Sequence, residues 1–201
     1  VNRSGTAVSI DSGAFDAPAL SPDGRRVAVA VQDGGESNIW VRQLFGGPMS
    51  KLTFEGKQNG RPLWTADGRS VTFTSDRGSN RDLYTQVADG SAPAVLLLDR
   101  TEEILEAAWS RDGRWLVVRQ NPMPNADLLA LRPGLDTAPV PLVVTRFGER
   151  APTLSPDGRW IAYVSDESGR IEVYVRPFPN AAQAKWQVSL TGGSEPRWAH
   201  S

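Results

Sequence analysis

The chain has 201 residues, 39% of them hydrophobic, with 22 basic and 23 acidic side chains, a net charge of -1 and no cysteine. A chain of this length and apolar content buries a core without disulfides or Cys-bound metal. Balanced charge with no Lys/Arg block argues against nucleic acid as a partner, and the absence of any apolar run near the roughly 18 residues of a membrane span argues against membrane insertion.

Taken from its amino terminus, the chain starts with Val1 and reads as a processed product or a piece of something longer, with no signal peptide. Residues 4–10, "SGTAVSI", have the pattern of a strand. Next comes "SPDG" at Ser21–Gly24, then a period-2 segment, then a hairpin into "NIWV" at Asn38. The same order returns three times. The turn aspartates are Asp23, Asp67, Asp112 and Asp157, at intervals of 44, 45 and 45, and "NIWV", "DLYT", "DLLA" and "EVYV" keep the same spacing from Asn38 through Asp82 and Asp127 to Glu172.

Each unit reads as four strands. In the second, Val27/Val29, Val71/Phe73, Leu116/Val118 and Ile161/Tyr163 share one face of a half-buried strand. The Ser-Pro-Asp-Gly element suits a tight turn, with Pro presetting φ, Asp bonding its own backbone and Gly taking the left-handed conformation. Fourth strands are predicted near Lys51–Phe54, Ala94–Leu98, Pro141–Val144 and Trp186–Leu190. The 15 prolines and 19 glycines leave no room for long helices, and "RTEEILEAAW" at 100–109 is predicted to be a loop or at most one turn.

Four antiparallel strands every 44 or 45 residues predict an all-β fold, a β-propeller whose blades stack face to face around an axis. The chain reads as one domain, 1–201, with blades at about 11–54, 55–99, 100–145 and 146–190. Residues 1–10 and 191–201 would form a partial fifth blade, as in a fragment or an open ring whose blade edges invite self-association.

The units "LTFEGKQNGRPLWTADGRSVTFTSDRGSNRDLYTQ" and "APTLSPDGRWIAYVSDESGRIEVYV" resemble the TolB-type, WD-repeat-like propeller repeat, with Leu52, Thr53, Gly56, Pro62, Trp64, Asp67, Gly68, Ser75, Asp76, Asp82 and Tyr84 carrying the match. The resemblance covers about Ala17 to Trp198. It implies a periplasmic or otherwise extracytoplasmic bacterial protein that binds a protein partner through a channel mouth. Similar repeats occur in peptidase propellers and in the tails of bacterial membrane serine/threonine kinases, which "RIEVYVRPFPNAAQAKWQVSLTGGSEPRW" resembles most. The chain departs from all three in lacking six blades, an α/β domain, a hydrolase domain or a kinase segment.

Catalytic signals are absent: His200 is the single histidine and no Gly-x-Ser-x-Gly elbow appears. No cofactor is expected. Ser75-Asp76 and Ser165-Asp166 offer oxygens of the kind calcium takes, but the spacing suits turns better. The tryptophans recur at equivalent repeat positions, which marks packing rather than a sugar platform. Function is therefore sought where the units differ, at the loops entering each innermost strand. There Asp16, Arg61, Glu106, Arg150 and Glu195 form a rim of mixed sign around one mouth of the axis, suited to a peptide or protein segment. The leading expectation is a non-enzymatic protein- or peptide-binding scaffold, acting through that mouth or an exposed sheet edge. The alternative is the propeller portion of a peptidase or a calcium-dependent lactonase-like ring, for which Asp16, Asn59 and Glu106 are the candidate axial ligands.

Overall fold

The structure is a computed structural model that describes residues 14–44, 46–121 and 124–199. Its sixteen strands group into four antiparallel sheets of four, each in simple up-and-down order. The first sheet holds β1 (Phe15–Leu20), β2 (Arg26–Asp33), β3 (Glu36–Gln43) and β4 (Met49–Lys51). The second holds β5 (Asn59–Trp64), β6 (Ser70–Ser75), β7 (Asp82–Val87) and β8 (Val95–Leu98). The third holds β9 (Ile104–Trp109), β10 (Leu116–Gln120), β11 (Asp127–Leu131) and β12 (Val140–Val143). The fourth holds β13 (Arg150–Leu154), β14 (Trp160–Ser165), β15 (Glu172–Pro177) and β16 (Trp186–Gln187). The first strands touch in sequence, β1 on β5, β5 on β9 and β9 on β13, so they lie innermost around a shared axis.

The Asp-Gly element closes the turn between first and second strands in every blade. Gly24, Gly68, Gly113 and Gly158 sit at φ near +70° (69, 67, 70 and 67), and each donates its N–H to the carbonyl three residues back at 2.8–2.9 Å. A hydroxyl at the turn's first position, from Ser21, Thr65, Ser110 or Ser155, donates to the turn aspartate at 2.6 Å. The same carboxylates accept from the backbone two residues on, at Arg25, Arg69, Arg114 and Arg159. The same three bonds form whether the second turn position is Pro22 or Pro156 or, in the other two copies, Ala66 or Arg111.

The core is three slabs, one between each pair of neighbouring blades. Ala28, Ile39 and Val41 of the first blade meet Val71, Phe73 and Tyr84 of the second. Leu83 meets Leu116, Val118 and Leu129 of the third. Val117, Leu128 and Ala130 on that blade's other face meet Ile161, Tyr163 and Tyr174 of the fourth. The second strands are therefore buried on both faces, not half-buried as the alternation predicts: Thr72 and Val117 are as inaccessible as Val71 and Leu116 (all 0% exposed). A blade between two neighbours has no solvent face near the axis.

Two expectations are corrected. Ile104–Trp109, predicted as a loop or turn, is the innermost strand of the third blade. No strand forms over 191–199, so the described part of the partial fifth blade is not seen. Trp198 nonetheless donates its indole N–H to Thr153 O at 3.1 Å, as Trp64 does to Ala19 O at 2.9 Å. Residues 1–10, His200 and Ser201 lie outside the described residues.

In three blades a side-chain oxygen at or near the start of the third strand ties down the segment that follows the fourth strand. Asn38 accepts from Thr53 Oγ1 at 3.2 Å, Asp82 from Arg100 N at 3.2 Å, and Glu172 from Gly192 N at 2.9 Å and from Ser189 Oγ. Asp76 accepts from Lys57 N and Gln58 N at 2.7 and 2.8 Å, and Asp166 from Gly148 N at 3.1 Å. The Ser-Asp pairs thus organise the loops that lead into the innermost strands.

Candidate functional site

The innermost strands begin with a local break in regular pairing. Asp16 faces Ala30 and Ala19 faces Ala28, so Ala17 and Pro18 together oppose one residue. The same bulge occurs at Arg61-Pro62 and Ala151-Pro152. Proline has no N–H for the ladder, and the residue before it turns to the left-handed region: φ is 48° at Ala17, 51° at Arg61, 49° at Ala151 and 50° at Glu195, before Pro196. For residues other than glycine this conformation costs about 1–2 kcal/mol each. The third blade has Ala107 in place of proline, and its bulge slips back to Leu105. Glu106 is therefore paired directly with Arg119, and the two side chains share a face.

These bulged segments line a cavity of about 750 Å³ that reaches all four blades and includes Asp16, Arg61, Glu106, Ala151 and Glu195. Trp64, Trp109 and Thr153 continue it toward the Asp-Gly turns, where a second cavity of about 460 Å³ is lined by Pro22, Arg111, Pro156 and Trp198. At the opposite end Asp16 and Arg61 also belong to a cavity of about 200 Å³, with Asn59, Arg81 and Arg119. The three share walls and follow the axis along the innermost strands.

Of the six residues singled out by sequence, Asp16, Arg61, Glu106 and Glu195 line the large cavity, and Asn59 joins Asp16 and Arg61 in the small one. Arg150 lines neither, although its charge is felt at Arg119. The centre of the site is Glu106. Its Oε2 accepts from Ala151 N at 2.7 Å across the blade boundary, while Arg119 Nε stands 3.7 Å and Arg61 3.9 Å from its carboxylate. Both Glu106 and Arg119 side chains are only 13% exposed. Burial lowers the proton affinity of Arg119, Glu106 opposes that, and the positive charges of Arg61 and Arg150 add to it. Asp16 accepts from the neighbouring Ala17 N at 2.8 Å.

The lactonase-like trio does not line one cavity together: Asp16 and Glu106 line the large one, Asp16 and Asn59 the small one. Asn59 is wholly buried, its Nδ2 donates to the carbonyls of Glu55 and Ser37 at 3.1 and 3.3 Å, and Glu106 is held by Ala151 and the arginines. Among the described residues no three His, Cys, Asp or Glu side chains are grouped to hold a metal ion.

Sequence reasoning missed Arg119 and Arg81. For Arg119 a signal existed: the equivalent position of the other units is Ala30, Thr74 or Val164, so an arginine there breaks the repeat on a buried strand. Trp64 and Trp109 serve both readings. They pack between blades, with Trp109 Nε1 on Thr72 Oγ1 at 3.0 Å, and also wall the cavity.

Four antiparallel sheets of four strands around an axial cavity define a β-propeller. The chain matches the TolB beta propeller domain over residues 2–201 and belongs to that family. It is 26% identical over 163 residues to the Tol-Pal system protein TolB of Francisella tularensis subsp. tularensis, covering 80% of this chain and 37% of that protein. It is 32% identical over 108 residues to the uncharacterized peptidase YuxL of Bacillus subtilis, covering 50% of this chain and 16% of the peptidase. Among solved structures, TolB from Acinetobacter baumannii superposes with a TM-score of 0.77 at 23% identity, covering 89% of this chain and 45% of that one. The chain thus spans less than half the length of each of these relatives.

Proposed function

We propose that the chain is a non-enzymatic scaffold that binds a peptide or protein segment in its axial cavity. The observation that carries this reading is the cavity itself: about 750 Å³, within the usual range of ligand sites, walled by apolar and aromatic side chains with a few charged groups held in place by hydrogen bonds. Four residues are held in the left-handed conformation around it, three of them at bulges, and such strain gathers where backbone is shaped for a ligand. Kinship with a Tol-Pal system protein supports a protein partner and an extracytoplasmic setting. Self-association through blade edges is the less favoured mode, because the outermost strands are two to four residues long and offer a short ladder.

The alternative, a propeller attached to a peptidase, is favoured by the likeness to YuxL. It would use the same cavity to admit a peptide. Selection from a displayed library of random dodecapeptides tests the reading. Binders should emerge whose affinity, measured by calorimetry, falls at least fivefold in Arg61→Ala. Failure to select any peptide, or affinities untouched by that variant, would overturn it.

A further inference from the structure

The small end of the axial cavity has a more specific chemistry than its rim. Its volume of about 200 Å³ has room for one side chain, and three arginines, Arg61, Arg81 and Arg119, line it against a single carboxylate, Asp16. Asp16 already accepts from Ala17 N at 2.8 Å. Arg119 is mostly enclosed, and its buried Nε makes no hydrogen bond among the described residues. The nearest carboxylate to it, Glu106, is shared with Arg61 at 3.9 Å and engaged at closer range by Ala151 N at 2.7 Å. One carboxylate is therefore spread over two guanidiniums and an amide, with Arg150 close enough to add a further positive charge at Arg119. A partly desolvated arginine with an unused donor is an incomplete arrangement, since guanidinium forks are matched by carboxylates in two-point contact.

We infer that this pocket seats a carboxylate of the bound peptide, from an acidic side chain or the chain terminus, between Arg61 and Arg119. Glu106 shows that the surroundings accept such a group, and it acts as an internal competitor for the same guanidiniums. The inference rests on the peptide-binding reading above and adds the class of residue recognised. A carboxylate is favoured over a phosphate because the wall also carries uncharged Asn59, Gln58 and Thr74, and because the carboxylate of Asp16 in the same wall repels a doubly charged group more than a singly charged one.

The consequence is unusual for an acid in a binding site: neutralising Glu106 should tighten binding. Five probes serve as the test, namely the capped pentapeptides acetyl-Gly-Gly-Glu-Gly-Gly-amide, its Gln twin, its phosphoserine twin, and acetyl-pentaglycine with a free or an amidated carboxyl end. Affinity is read from the side-chain Nε–H signal of Arg119 and the Ala151 amide in NMR titrations. The Glu peptide, the free-carboxyl pentaglycine or both should bind at least tenfold tighter than the neutral twin. Glu106→Gln should raise that affinity at least threefold, a gain no misfolded variant can mimic, and Arg119→Gln should erase the difference between twins. Equal affinity of acidic and neutral twins overturns the carboxylate pocket, as does preference for phosphoserine or weaker binding in Glu106→Gln. If library-selected peptides still occupy the cavity in that case, only this inference falls. If no peptide of any kind binds, the parent reading falls with it.

Discussion

Glu149→Gln should remove most of the pH dependence of folding between pH 5 and 8. Glu149 stands just before β13 and is 1% exposed; its Oε1 accepts from Thr145 Oγ1 at 2.7 Å, and its buried Oε2 has no hydrogen-bond partner among the described residues. Burial pushes its carboxyl from 4.5 to about 7, Thr145 opposes the rise, and the carboxylates of Asp127, Glu167 and Asp166 reinforce it. The folded state therefore binds a proton that the unfolded chain releases, and stability falls as pH rises from 4.5 through about 7. At about 1.4 kcal/mol per tenfold change in proton affinity, the full loss is about 3 kcal/mol. Urea denaturation of the wild type should show a lower midpoint at pH 8 than at pH 5. The glutamine keeps an acceptor for Thr145 and should be close to flat, with a residual slope from Asp127, which burial also raises. A wild type equally stable at both values, or a variant that keeps the full slope, would refute the assignment of a buried, proton-binding Glu149.

Gly56→Ala should destabilise by about 1–3 kcal/mol in the same assay, because φ is +76° and a Cβ would lie 2.8 Å from Ser75 Oγ and 3.0 Å from Asp76 Oδ1. Phe73→Ala removes a ring with no exposure from the first inter-blade slab and should cost about 3–5 kcal/mol; a loss below 1 kcal/mol would contradict the buried interface. Calcium at millimolar concentration, set against a chelator, should leave the melting temperature unchanged, whereas a native-state site saturated at 100 times its dissociation constant would add about 2.7 kcal/mol.

The period of 44 or 45 residues made the blades legible, since an Asp-Gly turn with φ near +70° leaves few choices for the strands it joins. What the period hid is instructive. "ILEAAW" has neither β-branched alternation nor a proline, and only its place in the repeat, between Trp64 and Leu154 equivalents, makes it a strand. Local propensity gave way to packing against β10. The rim residues were found because they vary between units, and four of the five do line the large cavity. Arg150 is the exception: in its blade the left-handed Ala151, and not the arginine before it, lines the cavity, whereas in the first blade both Asp16 and the left-handed Ala17 do. Arg119 escaped notice since a strand that otherwise carries Leu116, Val117 and Val118 reads as core, and one cation among them becomes intelligible only with Glu106 opposite.

The central claim is that the axial cavity receives the ligand. Chemical-shift mapping with a library-selected peptide tests it most directly. The account predicts that the Ala151 and Arg61 amides and the indole N–H groups of Trp64 and Trp109 move first and furthest. Shifts confined to β4, β8, β12 or β16, with those axial signals unmoved, would contradict it.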